Sequence, residues 1–173
     1  MRMIFLNIGR FLFLVLLQVF VINQVDLGFL NSYISIAIYI SFILSFPIKA
    51  SNYLLLLISF LLGLTIDLFM DTGGIHASAC LTMAFLRPYL LRRLQTESPM
   101  DETTELTVYT EDLQKYVTYC LILVFCFFFW LFLLEEFSFS KIPLIILKTL
   151  ISSVLSTVLI ILGQYLLFRK PKS

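Results

Sequence analysis

Residues 63–76 read GLTIDLFMDTGGIH. An almost unbroken run of Leu, Ile and Phe leads into this stretch. Two aspartates then come one helical turn apart, two glycines follow, and the only histidine of the chain closes it. Asp67 and Asp71 stand at i and i+4, so they share a face of one helix. Gly73 and Gly74 can take the positive φ of a tight turn. The stretch therefore predicts a helix end, a turn and a new helix start, with polar groups at the tip of an otherwise apolar hairpin. A catalytic site, an ion site and a helix cap all fit this pattern, and the surroundings must decide between them.

Those surroundings are lipid-like. The chain has 173 residues, 60% of them hydrophobic and 13% charged, with a mean hydropathy of +1.00. A soluble domain of this length needs far more polar surface. Six apolar segments recur, over about 4–25, 29–46, 53–70, 75–91, 116–134 and 142–168. Helices of these lengths, at about 1.5 Å per residue, match a hydrocarbon layer of about 30 Å. The runs are continuous rather than alternating, which excludes a β-barrel. The expected fold is all-α, a polytopic membrane protein forming one six-helix domain over residues 1–173. Arg2 and Arg10 precede an apolar run, as in a signal peptide. No small-x-small cleavage site follows, so the first segment is read as a retained span. The net charge of +1 and the lack of a basic, aromatic-interleaved cluster exclude nucleic acid as a partner.

Lys and Arg set the orientation. Arg2, Arg10, Lys49, Arg87, Arg92, Arg93, Lys115, Arg169, Lys170 and Lys172 fall at one set of segment ends, and only Lys141 and Lys148 at the other. Both termini are thus expected in the cytoplasm, with the 63–76 hairpin, Asp26, Glu135 and Glu136 outside. Tyr53, Tyr89, Tyr116, Tyr119 and Tyr165 suit an interfacial aromatic belt. Residues 92–115, RRLQTESPMDETTELTVYTEDLQK, form the one long polar connection. They read as a solvated cytoplasmic loop or a docking site for a cytoplasmic partner.

Asp71 or Thr72 is expected to cap the first amides of the fourth helix. Asp67 lies a turn deeper. An ionised Asp at mid-bilayer costs about 2.5–3.5 kcal/mol, and less near the interface. It is expected to face the bundle and find a hydroxyl or histidine partner, with His76 and Ser78 nearest. A structural hydrogen bond and a ligand or partner contact both remain open for it. One His and two Asp lack a further strong donor beside them to complete a metal site, and no nucleophile–base–orienter set is present. The expectation is a protein without catalytic, cofactor or metal residues. Cys80, Cys120 and Cys126 lie in apolar runs without metal spacing and read as packing residues.

The fourth segment carries Ala77, Cys80 and Ala84 at i, i+3 and i+7, flanked by Gly74 and Ser78. Small stripes of this kind let membrane helices approach closely. Arg87, one turn before Arg92 and Arg93, is expected to snorkel to cytoplasmic headgroups, and Pro88 to kink the helix. The sixth segment offers a second small face at Thr149, Ser152, Ser153, Ser156 and Gly163. Asn7 and Gln18 of the first segment lie eleven residues apart on nearly one face, and such amides bond across to other elements.

The stretch GLTIDLFMDTGGIHASACLTMAFLRPYLLRR, residues 63–93, resembles the rod shape-determining protein MreD family of bacteria. Gly63, Leu64, Asp67, Gly73, Gly74, His76 and Ala77 carry the resemblance. The start FLFLVLLQVFVIN and the end ILGQYLLF also fit. The resemblance implies a non-enzymatic scaffold of the cell-elongation complex in the inner membrane. Its implied partners are the periplasmic single-span protein MreC, the glycosyltransferase RodA, a class B penicillin-binding protein and the actin-like MreB. It further implies a six-helix fold similar to the substrate-binding subunits of energy-coupling factor vitamin transporters. Membership of that transporter class is the alternative reading. Those subunits carry an alanine-rich face on their first helix, whereas IFLNIGRFLFLVLLQVFVINQV contains no alanine.

Overall fold

The computed structural model describes residues 2–22, 34–48, 50–94 and 112–167. Among these the chain is helical, without a strand. It forms α1 (Arg2–Phe20), α2 (Ser41–Leu44), α3 (Asn52–Met70), α4 (Ile75–Leu94), α5 (Leu113–Glu136) and α6 (Ile142–Leu167), with a 3-10 turn at Phe139–Lys141. Among the described residues three helices are long and apolar enough to cross a membrane: Asn52–Met70, Leu113–Glu136 and the Ile142–Tyr165 part of α6. By length and composition this is a helical membrane protein. The helices α3 to α6 pack each on the next in chain order, and α1 lies against α3.

The packing explains which residues turn inward. On α5, Tyr116, Tyr119, Cys120, Leu123, Val124, Phe127, Phe128, Leu131 and Phe132 are buried. Their alternating spacing of three and one keeps a single stripe against α4 and α6. The helix α6 is polar on its inner face, where Lys148, Thr149, Ser152, Ser153, Ser156, Thr157 and Gln164 are buried. Its outer face carries Leu147, Leu150, Val154, Val158 and Leu162, all about half exposed. Polar inside and apolar outside is the reverse of a water-soluble helix. It is the arrangement lipid favours: Ser152, Ser153, Ser156 and Gln164 find hydrogen-bond partners inside, Thr149 and Thr157 are buried without one among the described residues, and exposed leucines face a solvent of their own kind.

The second apolar segment departs from expectation. The helix predicted over about 29–46 does not form among the described residues of that range. Residues 34–38 run without helical structure, and only the single turn α2 follows. Other elements satisfy the exposed backbone. The Gln18 amide of α1 pairs with the segment twice: Nε2 donates to the Ile36 carbonyl at 2.7 Å, and Oε1 accepts from the Ile38 N–H at 2.9 Å. From α6, Ser152 Oγ accepts the Ser35 N–H at 3.0 Å, and Ser156 Oγ accepts the Ala37 N–H at 3.2 Å. Irregular backbone inside an apolar-coated bundle is tolerated where protein groups replace the missing ladder. The Gln18 amide and the small hydroxyl face of α6 are used in this way.

Candidate functional site

The hairpin between α3 and α4 begins with a helix that stops cleanly. Ser51 caps the start of α3, its Oγ accepting the Leu54 N–H at 3.2 Å. At the other end Asp71 takes the left-handed conformation (φ 54°) and its N–H returns to the Asp67 carbonyl. Gly73 and Gly74 follow at φ 61° and 101°. Three positive-φ residues in four reverse the chain within one turn, and two of them are glycines because a side chain is disfavoured there.

Asp67 is the hub of the hairpin. It is 4% exposed. Its Oδ1 accepts the Thr72 hydroxyl at 2.5 Å and the His76 backbone N–H at 2.9 Å. Its Oδ2 accepts the Ala77 N–H at 2.8 Å. His76 Nδ1 stands 3.1 Å from Oδ1 and 3.1 Å from Thr72 Oγ1. All four first amides of α4 are then satisfied, since the Ile75 N–H reaches the Thr72 carbonyl and the Ser78 N–H the Gly74 carbonyl. A carboxylate at a helix N-terminus is favoured by both the free amides and the helix dipole. The unusual feature is that the cap comes from the neighbouring helix, so the interaction joins α3 to α4.

Close approach makes this latch possible. A Cβ placed on Gly63 would lie 2.5 Å from the Ala77 Cα and 2.6 Å from the His76 carbonyl oxygen. Only glycine permits the two backbones to meet there. Ala77, Cys80 and Ala84 are buried along the same helix, so the small stripe of α4 is used within the chain.

Several sequence expectations change here. The cap of α4 is Asp67, not Asp71 or Thr72. Asp71 ends α3 and is exposed, while Thr72 donates to Asp67. Ser78 does not reach Asp67 and instead donates to the Ile75 carbonyl at 2.8 Å. Arg87 does not snorkel: it is 2% exposed. Its Nε donates to Tyr119 Oη at 2.8 Å, and its Nη2 to the carbonyls of Leu44, at 3.3 Å, and Phe46. Tyr119 Oη in turn donates to the Leu44 carbonyl at 3.1 Å. Tyr119 and Tyr116, both 1% exposed, are core residues rather than interfacial ones, whereas Tyr53, Tyr89 and Tyr165 are well exposed.

Arg87 therefore clamps the chain beyond α2, where the carbonyls at the end of a one-turn helix lack partners. No described carboxylate pairs with it. The cation is balanced by carbonyl dipoles, in the fork geometry that a guanidinium allows. Arg87 lies about 16 Å along α4 from His76, so the clamp and the latch are separate sites on one helix. Sequence reasoning missed the clamp. Its one local signal is an arginine five residues short of the Arg92–Arg93 pair, inside the apolar run.

A third polar group sits where α5 meets α6. Glu136 accepts from Lys141 Nζ and Lys148 Nζ, each at 2.7 Å. The three residues expected on one side of the membrane thus meet at one end of the bundle. Lys148 also stands 5.9 Å from the Phe132 ring centroid.

What these elements define is a class: a helical membrane protein whose interior polar side chains bond largely to backbone groups of neighbouring elements. Comparison with known proteins finds no matching family model, no matching curated protein and no matching solved structure.

Proposed function

We propose that the chain is a non-enzymatic membrane scaffold of the bacterial cell-elongation complex, of the MreD kind. In this reading it sits in the inner membrane with both termini in the cytoplasm. It supports cell shape and peptidoglycan synthesis through MreC, together with RodA, a class B penicillin-binding protein and MreB. The observation that carries the reading is the state of Asp67. Its oxygens are taken up by Thr72, His76 and Ala77, which leaves a fixed shape rather than a reactive group. Six of the seven residues behind the resemblance, all but Leu64, build this shape. Gly63 allows the approach, Asp67 bonds across it, Gly73 and Gly74 turn the chain, and His76 and Ala77 receive the bond.

Capture of the tagged chain from native membranes, followed by identification of what comes with it, tests the proposal. The periplasmic single-span protein is expected with the wild type and with Asp71→Ala. It is expected to be lost from Asp67→Leu at equal membrane abundance. Equal recovery for both variants would overturn the latch as the basis of assembly. Depletion should also round a rod-shaped host.

One observation favours the transporter alternative. The non-helical 34–38 segment resembles in kind the broken helices that line transporter binding sites. Co-purifying ATPases, or a vitamin retained by the purified chain, would select that reading.

A further inference from the structure

The helices α3 and α4 touch through their backbones at Gly63 and Ala77, but they part toward the other end of the pair. There the first turn of α3 and the last turns of α4 enclose a groove of about 250 Å³. Its floor is apolar: Leu56 from α3, and Ala84 and Pro88 from α4. Phe85 and Tyr89, whose rings pack 5.4 Å apart, form one wall, and Tyr53 stands on the opposite side. Asn52 and Arg92 complete the groove.

Two properties of this groove point to an occupant. The first is amphipathy. Tyr53 is 86% exposed, and Phe85 and Tyr89 are each 56% exposed. The groove therefore opens onto the apolar outer surface of the bundle rather than into its core, and what enters from that side must itself have an apolar part. The second is charge. Arg92 is exposed and makes no hydrogen bond or ion pair with a described residue, and among the described residues no acid lines the groove. Beside it lie three further polar groups with the same lack of described partners: the Asn52 amide and the Tyr53 and Tyr89 hydroxyls. One cation and three neutral hydrogen-bonding groups around an apolar floor match a phosphodiester joined to an acyl chain. A guanidinium recognises phosphate oxygens through paired N–H donors, and basic pockets between membrane helices hold anionic headgroups.

We infer that this groove holds one anionic phospholipid. Arg92 takes the phosphate, Asn52 and the two tyrosine hydroxyls surround it, and the acyl chain lies over Leu56, Ala84 and Pro88. The lipid fills the gap that the close contact at Gly63 leaves further along the pair. The inference is independent of the scaffold reading, since it needs only that this end of the pair lies at a membrane–water boundary.

Native mass spectrometry of the delipidated full chain in detergent tests it, with phosphatidylglycerol and phosphatidylcholine titrated separately. One phosphatidylglycerol is expected to be retained in preference to phosphatidylcholine. Arg92→Gln should weaken that retention about fivefold, while Arg93→Gln changes it less than about twofold. Tyr53→Ala, which alters a side chain with little packing to lose, should weaken it as well and guards against a folding defect in the arginine variant. The inference is overturned if the two arginine variants lose lipid equally, because the attraction is then diffuse. It is overturned if Tyr53→Ala binds as the wild type does, or if phosphatidylcholine is held as well. Displacement of the lipid by inorganic phosphate would overturn it by showing a free-anion site.

Discussion

Asp67 and Asp71 carry the same side chain four residues apart and have opposite surroundings. Asp67 is buried and holds two amides of the next helix; Asp71 is exposed and serves through its backbone alone. Removing the Asp67 carboxylate strands two buried N–H groups, each costing about 1–3 kcal/mol. Asp67→Ala should therefore lower the midpoint of thermal unfolding in detergent markedly. Asp71→Gly relieves a left-handed residue and should leave the midpoint unchanged or raise it, by up to about 1 kcal/mol. Gly63 and Gly163 form a second contrast. An added methyl at Gly63 meets the backbone of α4, while at Gly163 it meets nothing within 4 Å. In the same assay Gly63→Ala should destabilise by about 1–3 kcal/mol, and Gly163→Ala should be neutral or gain up to about 1 kcal/mol from helix propensity. Equal behaviour of the two would mean that the α3–α4 contact is looser than described. The latch was partly legible in the sequence because it is local: Thr72 and His76 follow Asp67 by five and nine residues across a turn marked by glycines. That Asp67 rather than Asp71 caps α4 was not legible, since it depends on how closely the two helices approach.

At the scale of elements, the non-helical run 34–38 and the turn α2 rely on side chains from distant parts of the chain. Gln18 and Ser152 and Ser156 hold the first part, and Arg87 with Tyr119 holds the carbonyls beyond α2. Gln18→Leu should leave the Ile36 carbonyl and Ile38 N–H unpaired and lower stability by about 1–3 kcal/mol for each group. Hydrogen exchange should localise the change, with faster exchange over 34–48 and little effect in α3. Arg87→Lys keeps the charge but not the fork, and it too should speed exchange at 41–48. Wild-type protection in both variants would contradict the pairing described here. The sequence did not disclose this element, for a physical reason. The segment 34–46, ISIAIYISFILSF, is continuously apolar with interspersed serines, and periodicity alone cannot separate buried extended backbone from buried helix. The positions of α3, α4, α5 and α6 were legible because each is long, apolar and bounded by Ser, Gly, Pro or charge. The burial of Arg87 was hidden because its partners lie more than thirty residues away in either direction.

For the whole molecule, the decisive property is the reversal of polarity. The hydroxyls and the Gln164 amide of α6 and Arg87 of α4 lie inside, while leucines such as Leu147, Leu150 and Leu162 face out. This is the arrangement a lipid surround favours, and the proposed topology, read from Lys and Arg, puts both chain ends on the same side. Thiol labelling in intact and permeabilised cells tests this topology. The native Cys80, Cys120 and Cys126 are first replaced by alanine, and single cysteines are introduced by Asp71→Cys, Ser98→Cys and Ser173→Cys. A membrane-impermeant maleimide should reach position 71 in intact cells, and positions 98 and 173 only after permeabilisation. Labelling of 98 and 173 from opposite sides, or of all three positions alike, would overturn the proposed topology.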